Sequence, residues 1–343
     1  MAETVKGRES GPDLIRTLAC FFVVGVHFYL NIGYYEEPLN GGNMYVMTAF
    51  RWLFVTCIPL FFMLTGYFKK KKTADRAHYA ALVPLVISYV VISVGKMLLY
   101  NRLFGRIYGI GEMLTNIGNY QIAWYMGLYL CVFLLIPFLN KGWYALSIRE
   151  QNILLATLAG LCSVYPVFKY IAPSYFTGLY PVLFYYLGVA VSDRRIRCNR
   201  ILTAVILVVT VLVQTFISIR FTSTGIFDWN VISTPDNFYG TFFIMICALC
   251  IFLPLYDVEI KNGIIRSFIS SVSRVSFEIY LFSGAYDAVI YGILKRYVTG
   301  PSEAFWWFFV TVPISFICAY VSSLIFRRIV SEILKRTGLP LNG

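Results

Sequence analysis

Residues 13–27 read DLIRTLACFFVVGVH. From Arg16 onward the run is apolar except for that arginine, Thr17 and, at its end, one of the two histidines in the chain. What surrounds it decides whether it is a core helix of a soluble protein or a membrane span. Of 343 residues, 59% are hydrophobic and only 13% charged, with mean hydropathy +0.70. A soluble domain carries roughly 25% charge. Apolar stretches of near twenty residues recur along the whole chain, the length a helix needs to cross a bilayer core. The reading is an all-α polytopic membrane protein. Lys6 and Arg8 precede the first stretch as in a signal peptide. There is no small-residue cleavage site, and nine more apolar runs follow, so it reads as a retained first span.

About ten transmembrane helices are expected, at 13–32, 46–68, 80–100, 122–140, 152–167, 175–191, 201–221, 238–256, 275–294 and 304–327. They form one integral-membrane domain over 1–343 with no soluble domain. With the N-terminus inside, Lys and Arg concentrate on the inner side: the start, KKKKTADR, DRRIRCNR, Lys261 to Arg274 and the tail. The outer side holds Arg102, Arg106, Lys169, Lys295 and Arg296, plus Arg51 and Arg220 near span ends. This asymmetry puts both termini in the cytoplasm. The net charge of +12 therefore reads as topology, and no nucleic-acid partner is expected. The ten spans show no internal repeat.

The eight cysteines are scattered, nearly all in apolar runs where thiols behave as small hydrophobes, so neither a disulfide framework nor a metal site is expected. Cys247 and Cys250 form a CxxC in mid-span with no second pair. The outer loops NIGYYEEPLNGGN and FTSTGIFDWNVISTPDN lack basic residues and are rich in Gly, Asn and aromatics. That composition suits sugar stacking and ordinary interfacial loops alike.

Eleven residues of helix make about three turns and advance about 16 Å, so Arg16 and His27 share a face at different depths. Asp13 lies one turn before Arg16. An ionisable residue inside a span costs about 2.5–3.5 kcal/mol on insertion scales and by default faces a partner or a watery cavity. Two readings stand for Arg16: it snorkels to lipid phosphates, or it holds an anionic donor at the inner mouth. His27 is either a hydrogen-bonded core residue or a neutral imidazole serving as general base.

Asp13-Leu14-Ile15-Arg16, ten residues and then His27, resemble the DGLR-x10-H first span of the membrane acyltransferase 3 family. Residues 59–72, PLFFMLTGYFKKKK, resemble its FF-x-x-SG motif, with Thr65 where serine is usual. IAWYMGLYLCVFLLIPFL (122–139) and SRVSFEIYLFS (273–283) are similar to its LWYL to P-x-L and S-x-x-IYLxH spans. The resemblance implies an O-acyltransferase moving an acyl group, usually acetyl from cytoplasmic acetyl-CoA or another acyl-CoA, to hydroxyls of a glycan or lipid-linked saccharide outside the membrane. It implies a multi-pass protein of the bacterial plasma membrane, with the bilayer as partner and homo-oligomerisation left open. The family's paired arginines before the third span are absent here: Ala77, Ala80 and Ala81 lie before Pro84, with only Arg76 and His78 near. Ser283 stands where the IYLxH histidine often lies.

On this reading the donor phosphates meet Arg16, the run Lys69, Lys70, Lys71, Lys72, and Arg76, while His27 is the base. Asp287, about 18 Å into its span and so at the depth of His27, either orients the imidazole or bonds neighbouring tyrosines. Trp124, Tyr125 and Ser283 are candidate acceptor contacts, the first two also readable as interfacial anchors. Arg274 and Glu278, i to i+4, read as a structural ion pair, and His78 as a solvated loop residue. Two other classes fit the composition: a transporter, or a sensory or substrate-presenting domain like the membrane part of vancomycin-resistance serine racemases.

Overall fold

The structure, a computed structural model, describes residues 9–105, 107–163, 174–222, 224–228 and 239–337. Lys6, Arg8, Arg106, Lys169, the end of the fifth expected span and residues 229–238 lie outside them. The helices are α1 (Ser10–Asn31), α2 (Gly42–Phe54), α3 (Cys57–Lys69), α4 (Arg76–Ala80), α5 (Leu82–Phe104), α6 (Ile110–Gly118), α7 (Trp124–Ala145) and α8 (Ile148–Ser163). After a 3-10 turn at Ser174–Leu179 come α9 (Tyr180–Arg194), α10 (Arg200–Arg220), α11 (Phe242–Leu255), α12 (Gly263–Arg274), α13 (Ser276–Leu294), α14 (Pro301–Ala304) and α15 (Phe308–Thr337). Among the described residues the only β pairing is an isolated bridge, Pro38 to Ile226. The chain is an all-α polytopic membrane protein. Among the described residues, eight helical segments are long and apolar enough to cross a bilayer, and every one overlaps an expected span. The other two expected spans correspond to the shorter α8, of 16 residues, and α11, of 14.

Local chemistry sets the boundaries. Pro59 has no N–H to give the carbonyl of Val55, and the second span breaks there into α2 and α3, with Thr56 Oγ1 donating to Leu53 O at 2.7 Å. Asn199 and Asn262 cap α10 and α12, each side chain accepting two backbone N–H groups. Gly105 takes the left-handed conformation at φ 64° that ends α5. Asp75, outside the spans, caps α4 by accepting from His78 N–H. The Thr73 hydroxyl and that N–H hold its carboxyl below the usual range.

Helix α1 is largely buried and packs against α2, α3, α11, α12, α13 and α15. Ile15, Ala19, Val24 and Phe28 are fully enclosed, which explains why the opening run is apolar on nearly every face. By contrast, α10 leaves Val205, Val208 and Leu212 exposed, the signature of a lipid-facing surface. Helices α3 and α9 approach backbone to backbone through two glycines. A Cβ on Gly66 would lie 1.9 Å from Tyr185 O, and one on Gly188 the same distance from Met63 O. Neither carbonyl can yield without unwinding its helix. Gly66→Ala is expected to destabilise the protein by about 1–3 kcal/mol, read as a lower melting temperature in detergent. An unchanged melting temperature would contradict this packing.

The ends of the helices bearing Lys and Arg are tied together. Ser10 Oγ donates to Val258 O and accepts from Ile260 N–H, Asn140 Nδ2 donates to Lys69 O and Lys72 O, and Arg194 bonds Gln151 and Asn152. At the opposite end the two outer loops meet, Leu39 N–H donating to Gly225 O at 2.7 Å. The buried Arg51 guanidinium lies 4.0 Å from the Phe227 ring centroid and 5.4 Å from that of Tyr35. The rings of Tyr34, Tyr35 and Phe227 pack on one another.

Candidate active site

Two polar layers lie along α1. The first, at the basic end, is a cavity of about 610 Å³ between α1, α3, α5, α7, α12, α13 and α15. Four cations line it: Arg16, Lys69, Arg274 and Arg327, with Glu278 the acidic residue among them. The Arg16 guanidinium donates to Ser273 Oγ at 3.3 Å and sits 5.1 Å from the Phe68 ring centroid. Ser273 Oγ in turn donates to Asp13 Oδ1 at 2.7 Å, so Asp13 orients Arg16 through a serine of α12. Thr17 Oγ1, donating to Ile269 O, fixes the same helix pair. Lys69 lies 4.8 Å from the Phe133 ring centroid. The walls deeper in are aromatic, formed by Phe61, Tyr125, Tyr129, Phe133 and Tyr280, and reach Val23 and Ser88. A basic mouth leading to an apolar, aromatic interior suits a ligand with a polyanionic head and an uncharged tail.

The second layer begins one turn of α1 beyond Val23. His27 Nδ1 is 2.7 Å from Asp287 Oδ2 of α13, and Ser315 Oγ of α15 donates to Asp287 Oδ1 at 2.7 Å. Asp287 and Ser315 are buried, whereas the His27 side chain is 22% exposed. A carboxylate there accepts a hydrogen bond from Nδ1–H and leaves Nε2 as the basic nitrogen. This ties together helices 260 residues apart in sequence. The depth match obtained by counting helix rise from the two span starts is met by direct contact, and the partners of Asp287 are His27 and Ser315.

The remaining candidates divide. Arg16, Lys69 and Tyr125 line the cavity. Lys70 is instead paired with Asp193 of α9 at 2.8 Å, a carboxylate shared with Trp143 and Tyr144. Lys71, Lys72 and Arg76 are exposed and outside the cavity lining. The chain leaves α3 after Lys69, and the turn carries the next side chains away. Tyr125 is buried between Phe61, Phe62 and Tyr280, not anchored at an interface, while Trp124 is half exposed and stacks on Tyr239 at 5.4 Å. Ser283 is buried and donates to Tyr280 O one turn back.

Two expectations are corrected. Arg274 and Glu278 form no ion pair, because the helix breaks at Val275 (φ −113°, ψ 19°) and places them on different helices. Arg274 Nε donates to Ser270 O, its own carbonyl accepts from Arg327, and both arginines face the cavity. His78 is not solvated: it is 2% exposed and stacked on Phe133 at 4.3 Å.

Sequence reasoning assigned Arg274 to an ion pair and Arg327 to topology, and left Lys96 unread; none of the three was placed at the site. Lys96, in mid-span on α5, places Nζ 2.5 Å from where a Cβ on Gly284 would stand, within electrostatic reach of Asp287. Its sequence signal was plain, since no other Lys, Arg, Asp or Glu lies between Arg76 and Arg102.

A His–Asp pair among apolar helices thus lies beyond a basic, aromatic cavity in a polytopic membrane protein. The profile described as "Acyltransferase domain" matches residues 9–324, and the chain belongs to the acyltransferase 3 family. It is a membrane acyltransferase. No curated protein and no solved structure matches it.

Proposed function

We propose that the whole chain acts as one membrane domain that moves an acyl group, acetyl in the first instance, from acyl-CoA at the basic end to a hydroxyl of a glycan or lipid-linked saccharide on the other side. The observation that carries this reading is the 2.7 Å contact between His27 Nδ1 and Asp287. A carboxylate in the membrane interior, fixed by a serine and turned to one imidazole nitrogen, leaves the other nitrogen as a base.

The nucleotide phosphates meet Arg16, Lys69, Arg274 and Arg327, where charge-assisted bonds are strongest. The uncharged pantetheine arm runs along the aromatic wall toward Val23. His27 Nε2 removes the proton of the acceptor hydroxyl as its oxygen attacks the thioester carbonyl, and Asp287 stabilises the imidazolium that forms. Collapse breaks the C–S bond, and the imidazolium returns the proton to the departing thiolate. Direct transfer is the scheme adopted: the thiol nearest His27 in sequence, Cys20, is buried with Sγ against Ser276 O.

The test is purified protein with labelled acetyl-CoA and a panel of envelope glycans, scored for alkali-labile label on sugar. Arg16→Glu is expected to raise the KM for acetyl-CoA at least 10-fold, because it replaces a phosphate-facing cation with a repelling anion, with little change in the acceptor KM. Equal damage to both constants would assign Arg16 a purely structural role.

A further inference from the structure

Lys96 has no place in the mechanism above, yet it sits in the layer of the proposed base. Counting outward from the cavity rim, Gly284 is one turn of α13 beyond Tyr280, and Asp287 is three residues further. His27 is one turn of α1 beyond Val23. Lys96 is about two turns of α5 beyond Ser88. The three charged or basic groups therefore come to one level from three helices, outside the donor cavity.

A lysine at this depth is costly unless it meets an anion. Asp287 is the acidic group in its reach, but both carboxylate oxygens are already engaged, one by His27 and one by Ser315. Lys96 forms no ion pair or hydrogen bond among the described residues. Its ammonium lies 5.6 Å from the Tyr100 ring centroid and against Gly284. Tyr100 OH donates to Gly284 O at 3.1 Å, which locks that stretch of α5 onto α13. The cation is thus positioned, while its N–H donors stay unspent.

Charge accounting supplies the missing partner. Before reaction, Asp287 and Lys96 balance and His27 is neutral. As the hydroxyl attacks, its proton passes to His27, and the imidazolium then balances Asp287. The electron pair of the carbonyl moves to oxygen, leaving an alkoxide in a low-dielectric site with one cation uncommitted. Resting on the proposed function above, we infer that Lys96 is a catalytic residue whose ammonium donates to the oxyanion of the tetrahedral intermediate. When the intermediate collapses, the pair returns to the carbonyl, the C–S bond breaks, and the Lys96 charge again balances Asp287.

Two substitutions test this independently. Lys96→Met keeps the unbranched apolar stem of the side chain, shorter by the terminal nitrogen, while removing the charge. Gly284→Ala keeps the charge but displaces it, since the new Cβ would stand 2.5 Å from Nζ, a flexible end that moves aside cheaply. Alanine in mid-helix also favours the helix, so this variant folds even should Lys96→Met fail to. CoA release from acetyl-CoA is followed by thiol titration, with a p-nitrophenyl glycoside as acceptor. The expected result is a kcat lowered about 10²–10³-fold in Lys96→Met and clearly lowered in Gly284→Ala, with both KM values little changed. The double variant is expected to be no worse than Lys96→Met alone.

A raised acceptor KM at unchanged kcat would make Lys96 an anchor for an anionic group on the acceptor and overturn the assignment. Full activity in both variants, with His27→Ala inactive, would sink the role of Lys96 alone. Full activity in His27→Ala would instead remove the reading beneath it.

Discussion

Replacing His27 with alanine is expected to lower acyl transfer about 10²–10⁴-fold, the range attributed to a positioned general base. Donor binding should survive, because the cations proposed to meet the donor phosphates line the other layer, around the cavity mouth. Folding should survive too: the imidazole is partly exposed, and α1 is held mainly by apolar packing of Ile15, Ala19, Val24 and Phe28. The readouts are turnover, acetyl-CoA binding and melting temperature on the same sample. Lost turnover with intact binding and melting supports the base. Normal turnover would remove it.

The second large effect belongs to Asp287→Asn. The Ser315 hydroxyl donates to one carboxylate oxygen, so an asparagine turns its carbonyl to Ser315 and its amide to His27. The amide is a donor where the carboxylate was an acceptor, so the Nδ1 it faces must give up its proton and Nε2 must carry one. His27 is then in the wrong tautomer to accept a proton from substrate. The expected loss is about 10³–10⁴-fold in kcat, with KM values nearly unchanged. The double variant His27→Ala/Asp287→Asn should be no slower than the slower single variant, since the two act as a unit. Additive losses would mean that Asp287 works independently of the imidazole.

The architecture was legible because the bilayer imposes one constraint everywhere. Runs long enough to span must be apolar and helical, and they stand out from the basic loops between them. The depth of His27 and Asp287 was legible for the same reason, since helical rise converts sequence number into position. Features that depend on irregular backbone or distant pairing were not. The break at Val275 involves neither proline nor glycine, so nothing in RVSFEIYL marks that Arg274 and Glu278 leave a common helix. Lys70 looked equivalent to Lys69 until Asp193, 123 residues away, was placed beside it. Arg327 counted only toward topology, because its approach to the cavity depends on how α15 crosses α13. Lys96 was visible as an isolated charge, but its level relative to Gly284 required the packing of α5 on α13.

In the proposed function the basic cavity and the His27 layer serve one reaction running through the membrane. Its most direct test is a vesicle reconstitution with radiolabelled acetyl-CoA sealed on one side and the glycan panel supplied on the other. The account predicts alkali-labile label on glycan hydroxyls in the opposite compartment, abolished by His27→Ala while acetyl-CoA binding persists. Label confined to the donor compartment, or transfer undiminished in the alanine variant, would contradict it.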